Sequence, residues 1–228
     1  MKPPPPHRQP NANPFRNNGF TLLELIVVIG VMALISVLVM PSTGRFMGAS
    51  RLSQSSQLLV NELSLARQQA ITRNSEIEVR IYQFGDPDVP GETPSSPASG
   101  RYRALQTFEI TASGSAIALG KIQRLATSVM IDAGVLSSII SSSGGTPSVP
   151  VATTGDALGL AIPKVGTQYN AVCFRFLPDG SARLKPQTGK WFLTLHGSEA
   201  GDGLSTPPPN FFTVQINALN GHIQTFRP

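Results

Sequence analysis

Glu24 is the only charged residue in residues 20–40, a run of 21 positions dominated by Leu, Ile, Val, Met and Ala. A carboxylate costs roughly 2.5–3.5 kcal/mol near the middle of a membrane-spanning helix and less toward its end. Its natural chemistry there is ion pairing, because an amine brought into the same apolar surroundings makes both charges tolerable. A plain membrane anchor with Glu24 in the headgroup zone is the alternative that the pattern leaves open. The other reactive groups do not converge. His7, His196 and His222 share no metal-ligand spacing. Asp86-Pro-Asp88 with Glu92 is the one tight acidic cluster and offers the oxygens calcium takes. It lacks EF-hand spacing, however, and Pro87 and Pro90 stiffen it. Cys173 is the only cysteine, which excludes an intramolecular disulfide, and Ala-Val-Cys-Phe-Arg-Phe reads as the setting of a buried structural thiol. Gly201-Asp-Gly203 precedes no helical pattern, and no serine sits in Gly-x-Ser-x-Gly. No cofactor is expected, and the chain does not read as an enzyme. A membrane-tethered enzyme is the weakest reading for want of a site.

The element that positions Glu24 is a helix of about 31 Å over residues 20–40, long enough to cross a hydrocarbon core. The segment before it carries Lys2, Arg8 and Arg16, no acid, and Pro3 to Pro6, Pro10 and Pro14, which keep it extended. A secretory signal peptide is the nearest rival, with an apolar core of about 7–15 residues and a small-residue cleavage site. Here the core is longer and Met-Gly-Ala-Ser at 47–50 is a poor site. Arg8 and Arg16 on one flank, against Arg45 and Arg51 on the other, weakly favour a cytoplasmic N-terminus.

Gly19-Phe20-Thr-Leu-Leu-Glu24, following a short basic leader, resembles the processing signal of type IV pilins and type II secretion pseudopilins. Pro41 also falls where many of those proteins carry a proline. The resemblance implies that a prepilin peptidase cuts after Gly19 on the cytoplasmic face and methylates the new amine of Phe20. It further implies that Glu24 of an incoming subunit pairs with the amine of a neighbour already in a filament. Partners would be that peptidase, other pilins or pseudopilins, an inner-membrane assembly platform and, before assembly, membrane lipid. The protein would sit in a bacterial inner membrane as a single pass, N-terminus cytoplasmic, and then in a periplasmic or cell-surface filament.

Composition limits other readings. The formal charge of +5 includes the three leader cations, and without them 15 basic residues face 13 acids, about +2. The pI near 9.8 is therefore no nucleic-acid signature. The expected organisation is a leader at 1–19, a transmembrane or filament-core helix at 20–41, an amphipathic helix at 42–74 and a β-rich domain at 75–228, an α+β fold. Pro41, Gly44 and Gly48 should bend or soften the long helix. Leu52, Leu59, Leu63, Ala66 and Ala70 mark one buried face, with Gln54, Asn61, Gln68 and Arg73 opposite. Strands are expected near 76–82 (half-buried), 101–110, 121–125, 172–177, 182–184, 191–195, 211–217 and 222–226. Asp179-Gly180 and Asn220-Gly221 supply hairpin turns. Three loops, 85–100, 137–159 and 197–210, are long and rich in Gly, Ser, Thr and Pro, and should be mobile and surface-placed.

Three later motifs narrow the resemblance. Leu63-Ser-Leu-Ala-Arg67-Gln-Gln-Ala70-Ile-Thr-Arg73-Asn74, Phe176-Leu-Pro-Asp-Gly180-Ser181 and the closing hairpin with Gly221 are similar to the GspH/FimT group of minor pilins and pseudopilins. The whole chain is also similar to the pilin-like D proteins of the Verru_Chthon cassettes. Some FimT-like minor pilins bind DNA through clustered C-terminal arginines. This tail keeps only Arg227, with Arg175, Arg183, Lys185 and Lys190 as candidate additions, so DNA uptake is the alternative function.

Overall fold

The computed structural model describes residues 1, 20–93, 100–141, 153–154, 161–184 and 189–228, without the side chains of 37–46 and 153–154. It divides into two compact units, Met1–Gly44 and Arg45–Pro228. One helix, α1 (Leu22–Arg73), has backbone in both, and its assignment runs unbroken through Pro41, Gly44 and Gly48. In the first unit the described side chains of 20–36 are all exposed. No helix among the described residues is long and apolar enough to cross a membrane. The side chains of residues 37–40, the end of the expected membrane span, lie outside the described residues.

In the second unit the amphipathic reading holds. Leu52, Leu59, Leu63, Ala66 and Ala70 are at most 2% exposed and belong to the main core. Gln54, Asn61, Gln68 and Arg73 lie on the exposed side. The helix stops at a left-handed residue, Asn74 (φ 52°), where the Ser75 N–H returns to the Ala70 carbonyl and satisfies an end group. Arg73 then ties this end to Glu109 at 3.0 Å.

The helix packs on one antiparallel sheet. Its strands are β1 (Glu76–Phe84), β2 (Arg101–Ile110), β3 (Ala116–Ala118), β4 (Gln123–Arg124), β5 (Val129–Ile131), β6 (Thr153–Thr154), β7 (Asn170–Phe176), β8 (Trp191–Gly197), β9 (Phe211–Ile216) and β10 (Ile223–Phe226). They run in the order β10-β9-β8-β5-β2-β1-β7-β6, with β3 and β4 also on β2. Ile77, Val79, Leu105, Phe174, Leu193 and Val214 share the main core with the helix.

Four expectations need correction. β1 is buried on both faces rather than one, since its polar side is covered as well. Glu78 pairs with Arg80 at 2.7 Å and with Arg175 at 2.9 Å, and Arg80 lies 3.9 Å over the Phe108 ring. Tyr82 and Phe84 join Tyr169, Ile162 and Val165 in a second core. Residues 182–184 form no strand, only a bridge from Ala182 to Phe176, because the Ala182 N–H bonds the Ala218 carbonyl instead. Within 121–125 only Gln123–Arg124 is strand. The 197–210 loop is fastened, not free: Asp202 Oδ1 accepts the Ala133 and Gly203 N–H groups at 2.8 Å, and Asp132 Oδ2 accepts that of Leu204 at 3.0 Å. A Cβ on Gly134 would lie 2.7 Å from Gly203 Cα, so glycine permits that contact.

Candidate processing and assembly site

Phe20 and Thr21 precede α1 in non-helical backbone, and Thr21 accounts for where the helix starts. Its hydroxyl oxygen accepts the Glu24 N–H at 3.2 Å and its carbonyl accepts the Leu25 N–H at 3.1 Å. Thr-x-x-Glu is capping-box spacing, which covers N–H groups that a helix start leaves without partners. Glu24 occupies the first turn, where the partial positive charge of the helix end favours a carboxylate. Its side chain is exposed and takes no ion pair among the described residues. Around it Phe20, Leu22 and Leu23 are 76–78% exposed. The arrangement offers a carboxylate framed by bare apolar side chains, suited to an amine arriving with its own apolar neighbours. Gly19 lies outside the described residues, as do the side chains of Pro41 and Gly44. Gly48 has no atom within 4 Å of where a Cβ would sit.

The calcium candidates take other partners. Asp86 Oδ1 accepts the Asp88 N–H at 3.0 Å, and Asp88 pairs with Lys164 at 2.8 Å. Glu92 accepts the Asp86 N–H at 2.9 Å and meets Arg103 at 2.6 Å. Among the described residues no three His, Cys, Asp or Glu side chains are placed to hold a metal ion. The local cations and N–H groups have claimed these carboxylates.

Three of the DNA candidates are already engaged by other side chains. Arg175 binds Glu76 and Glu78, Arg183 binds Glu76, and Arg227 donates to Ser53 Oγ on α1 at 2.9 Å. Lys190 is exposed, and Lys185 lies outside the described residues. Cys173 is buried, which pushes its thiol up to about 12. Trp191 is a core side chain, 7% exposed.

Two features were not legible in the sequence. Asp132 and His196, both fully buried and 64 positions apart in the chain, meet at 3.3 Å, and no local pattern announces such a pair. The second lies at Arg67. Its Nε donates to the Gly180 carbonyl at 3.1 Å and to the Asn220 carbonyl at 3.0 Å. The three later motifs, helix end, Pro-Asp-Gly turn and closing hairpin, therefore meet on one guanidinium.

The prokaryotic N-terminal methylation motif matches residues 14–40, the stretch that holds Gly19, Phe20 and Glu24. Among solved structures, the chain is similar to the minor pseudopilin EpsH from the type 2 secretion system of Vibrio cholerae. The two share 15% identity at a TM-score of 0.42, over 78% of this chain and 98% of that one. It is also similar to the type IV minor pilin FimU of Pseudomonas aeruginosa, at 14% identity and a TM-score of 0.41, over 80% of this chain and 96% of that one. At these values the likeness carries no functional argument, whereas the N-terminal motif does. Comparison with curated proteins gives no match.

Proposed function

We propose that this chain is a minor pilin or pseudopilin, a subunit of a type IV pilus or type II secretion-like filament. The observation that carries the reading is the methylation motif at 14–40, set on a helix whose capped first turn presents Glu24. In this account residues 20–40 anchor the precursor in the inner membrane with the leader on the cytoplasmic side. A prepilin peptidase removes residues 1–19 and methylates Phe20. Glu24 then pairs with the Phe20 amine of a subunit already in place, which aligns the helices and draws the newcomer out of the bilayer. The second unit faces outward in the filament, and the work of the protein is assembly rather than catalysis.

The experiment is Glu24→Leu in cells that hold the assembly machinery. The variant should insert in the membrane as well as the native chain or better, and incorporate poorly into filaments. Equal incorporation would refute the pairing role.

A further inference from the structure

Arg67 is the starting point. Its Nε is committed to two backbone carbonyls, of Gly180 and Asn220, so the guanidinium is held from both turns. Both acceptors are neutral, and among the described residues no acid pairs with this charge. Its two terminal NH2 groups donate to no described protein atom. A pocket of about 220 Å³ opens beside it, lined by Ser64, Arg67, Gly221, His222 and Ile223. Gly221 makes the close approach possible, since a Cβ there would fall 3.0 Å from Arg67 Cδ and Nε.

We propose that this cleft between α1 and the closing hairpin receives the carboxylate of an Asp or Glu side chain on a neighbouring filament subunit. The guanidinium presents parallel N–H groups in a fixed fork, which matches two carboxylate oxygens, and pinning the other edge in advance lowers the ordering cost of binding. The volume is below the roughly 300 Å³ at which small-molecule sites begin, and suits one side chain. A phosphate backbone is a poorer fit, because two described arginines that could extend the site are already engaged. Arg227 is fastened to Ser53, about 21 Å along the helix, and Arg73 is paired with Glu109. The inference rests on the subunit reading for its source of carboxylate, not for the cleft itself.

Ser64 gives a test that leaves the Arg67 clamp intact. It is exposed, lines the cleft and lies three residues before Arg67 on the same helix face. Ser64→Asp supplies an internal carboxylate that occupies the fork, and Ser64→Asn is the neutral control of similar size. The full chain in detergent, labelled with nitrogen-15 arginine, is titrated with acetate and separately with inorganic phosphate. Arg67 is assigned by its loss in Arg67→Lys. The Arg67 guanidinium signals should shift saturably with acetate in the native chain and in Ser64→Asn, and not in Ser64→Asp. In cells, Ser64→Asp should enter filaments about five-fold less than Ser64→Asn. A flat acetate titration, or a stronger response to phosphate, overturns the carboxylate assignment. If Ser64→Asp assembles like Ser64→Asn while Glu24→Leu fails, the cleft inference is wrong and the subunit reading stands. If Glu24→Leu assembles normally, the subunit reading fails instead, and the acetate titration alone decides the cleft.

Discussion

Gly221→Ala should be among the most damaging single-atom additions in the β-rich unit. Gly221 has φ 62°, a conformation that costs an L-residue about 1–2 kcal/mol. Its added Cβ would also lie 2.1 Å from the Gly180 carbonyl oxygen, which is backbone and cannot swing aside. The Asn220 turn and the Gly180 turn must then separate, and Arg67 can no longer reach both carbonyls. Losing a hydrogen bond from a charged donor adds about 1.5–3 kcal/mol. The combined loss is about 3–5 kcal/mol, against a total of roughly 5–15 kcal/mol for a domain. Gly114→Ala is the control: its φ is 83°, but nothing lies within 4 Å of a Cβ there, so only the conformational strain remains. Urea denaturation of a fragment spanning 48–228, followed by circular dichroism, compares the two. If Gly221→Ala falls within about 0.5 kcal/mol of Gly114→Ala, the three-way junction on Arg67 is not what holds the helix to the turns.

Leu63→Ala, at a fully buried helix position, should lower the stability of that fragment by about 2–5 kcal/mol, while Ser64→Ala on the exposed side leaves its midpoint almost unmoved. Cys173, with its thiol pushed up to about 12, stays protonated at neutral and mildly alkaline pH. It should resist alkylation at pH 8 in the folded protein and react once urea exposes it. Asp132→Ala leaves the Gly134 and Leu204 N–H groups without their acceptor, so limited proteolysis should newly cut within residues 197–210. With Arg175 and Arg183 paired to Glu76 and Arg227 donating to Ser53, the same fragment should not bind duplex DNA detectably at about 150 mM salt, as filter binding would show.

The helix was legible because its signal is local: Leu52, Leu59, Leu63, Ala66 and Ala70 recur at helical spacing, and all five are buried. The two tight turns were legible for a similar reason, since Gly180 and Gly221 adopt the positive φ that Asp-Gly and Asn-Gly lead one to expect, although only the Gly221 turn joins two strands. The central strand β5 was not, because Val129–Ile131 is too short to show alternation and gains its place from β8 and from the single pairing of Tyr102 with Ile131. The two-sided burial of β1 was hidden because its charged residues looked like a solvated face. Glu78 and Arg80 are buried because they pair with each other, and Glu78 also meets Arg175. At the N-terminus the sequence supplied the motif, and the structure added Thr21 as the cap that fixes where α1 begins.

The central claim is processing at Gly19, and it is tested most directly by the N-terminus of the protein recovered from cells that contain a prepilin peptidase. Mass spectrometry of the intact chain and of its first peptide should find a mature protein beginning at Phe20 with one added methyl group. An unprocessed Met1 terminus on assembled protein, or cleavage near Ser50, would contradict the account.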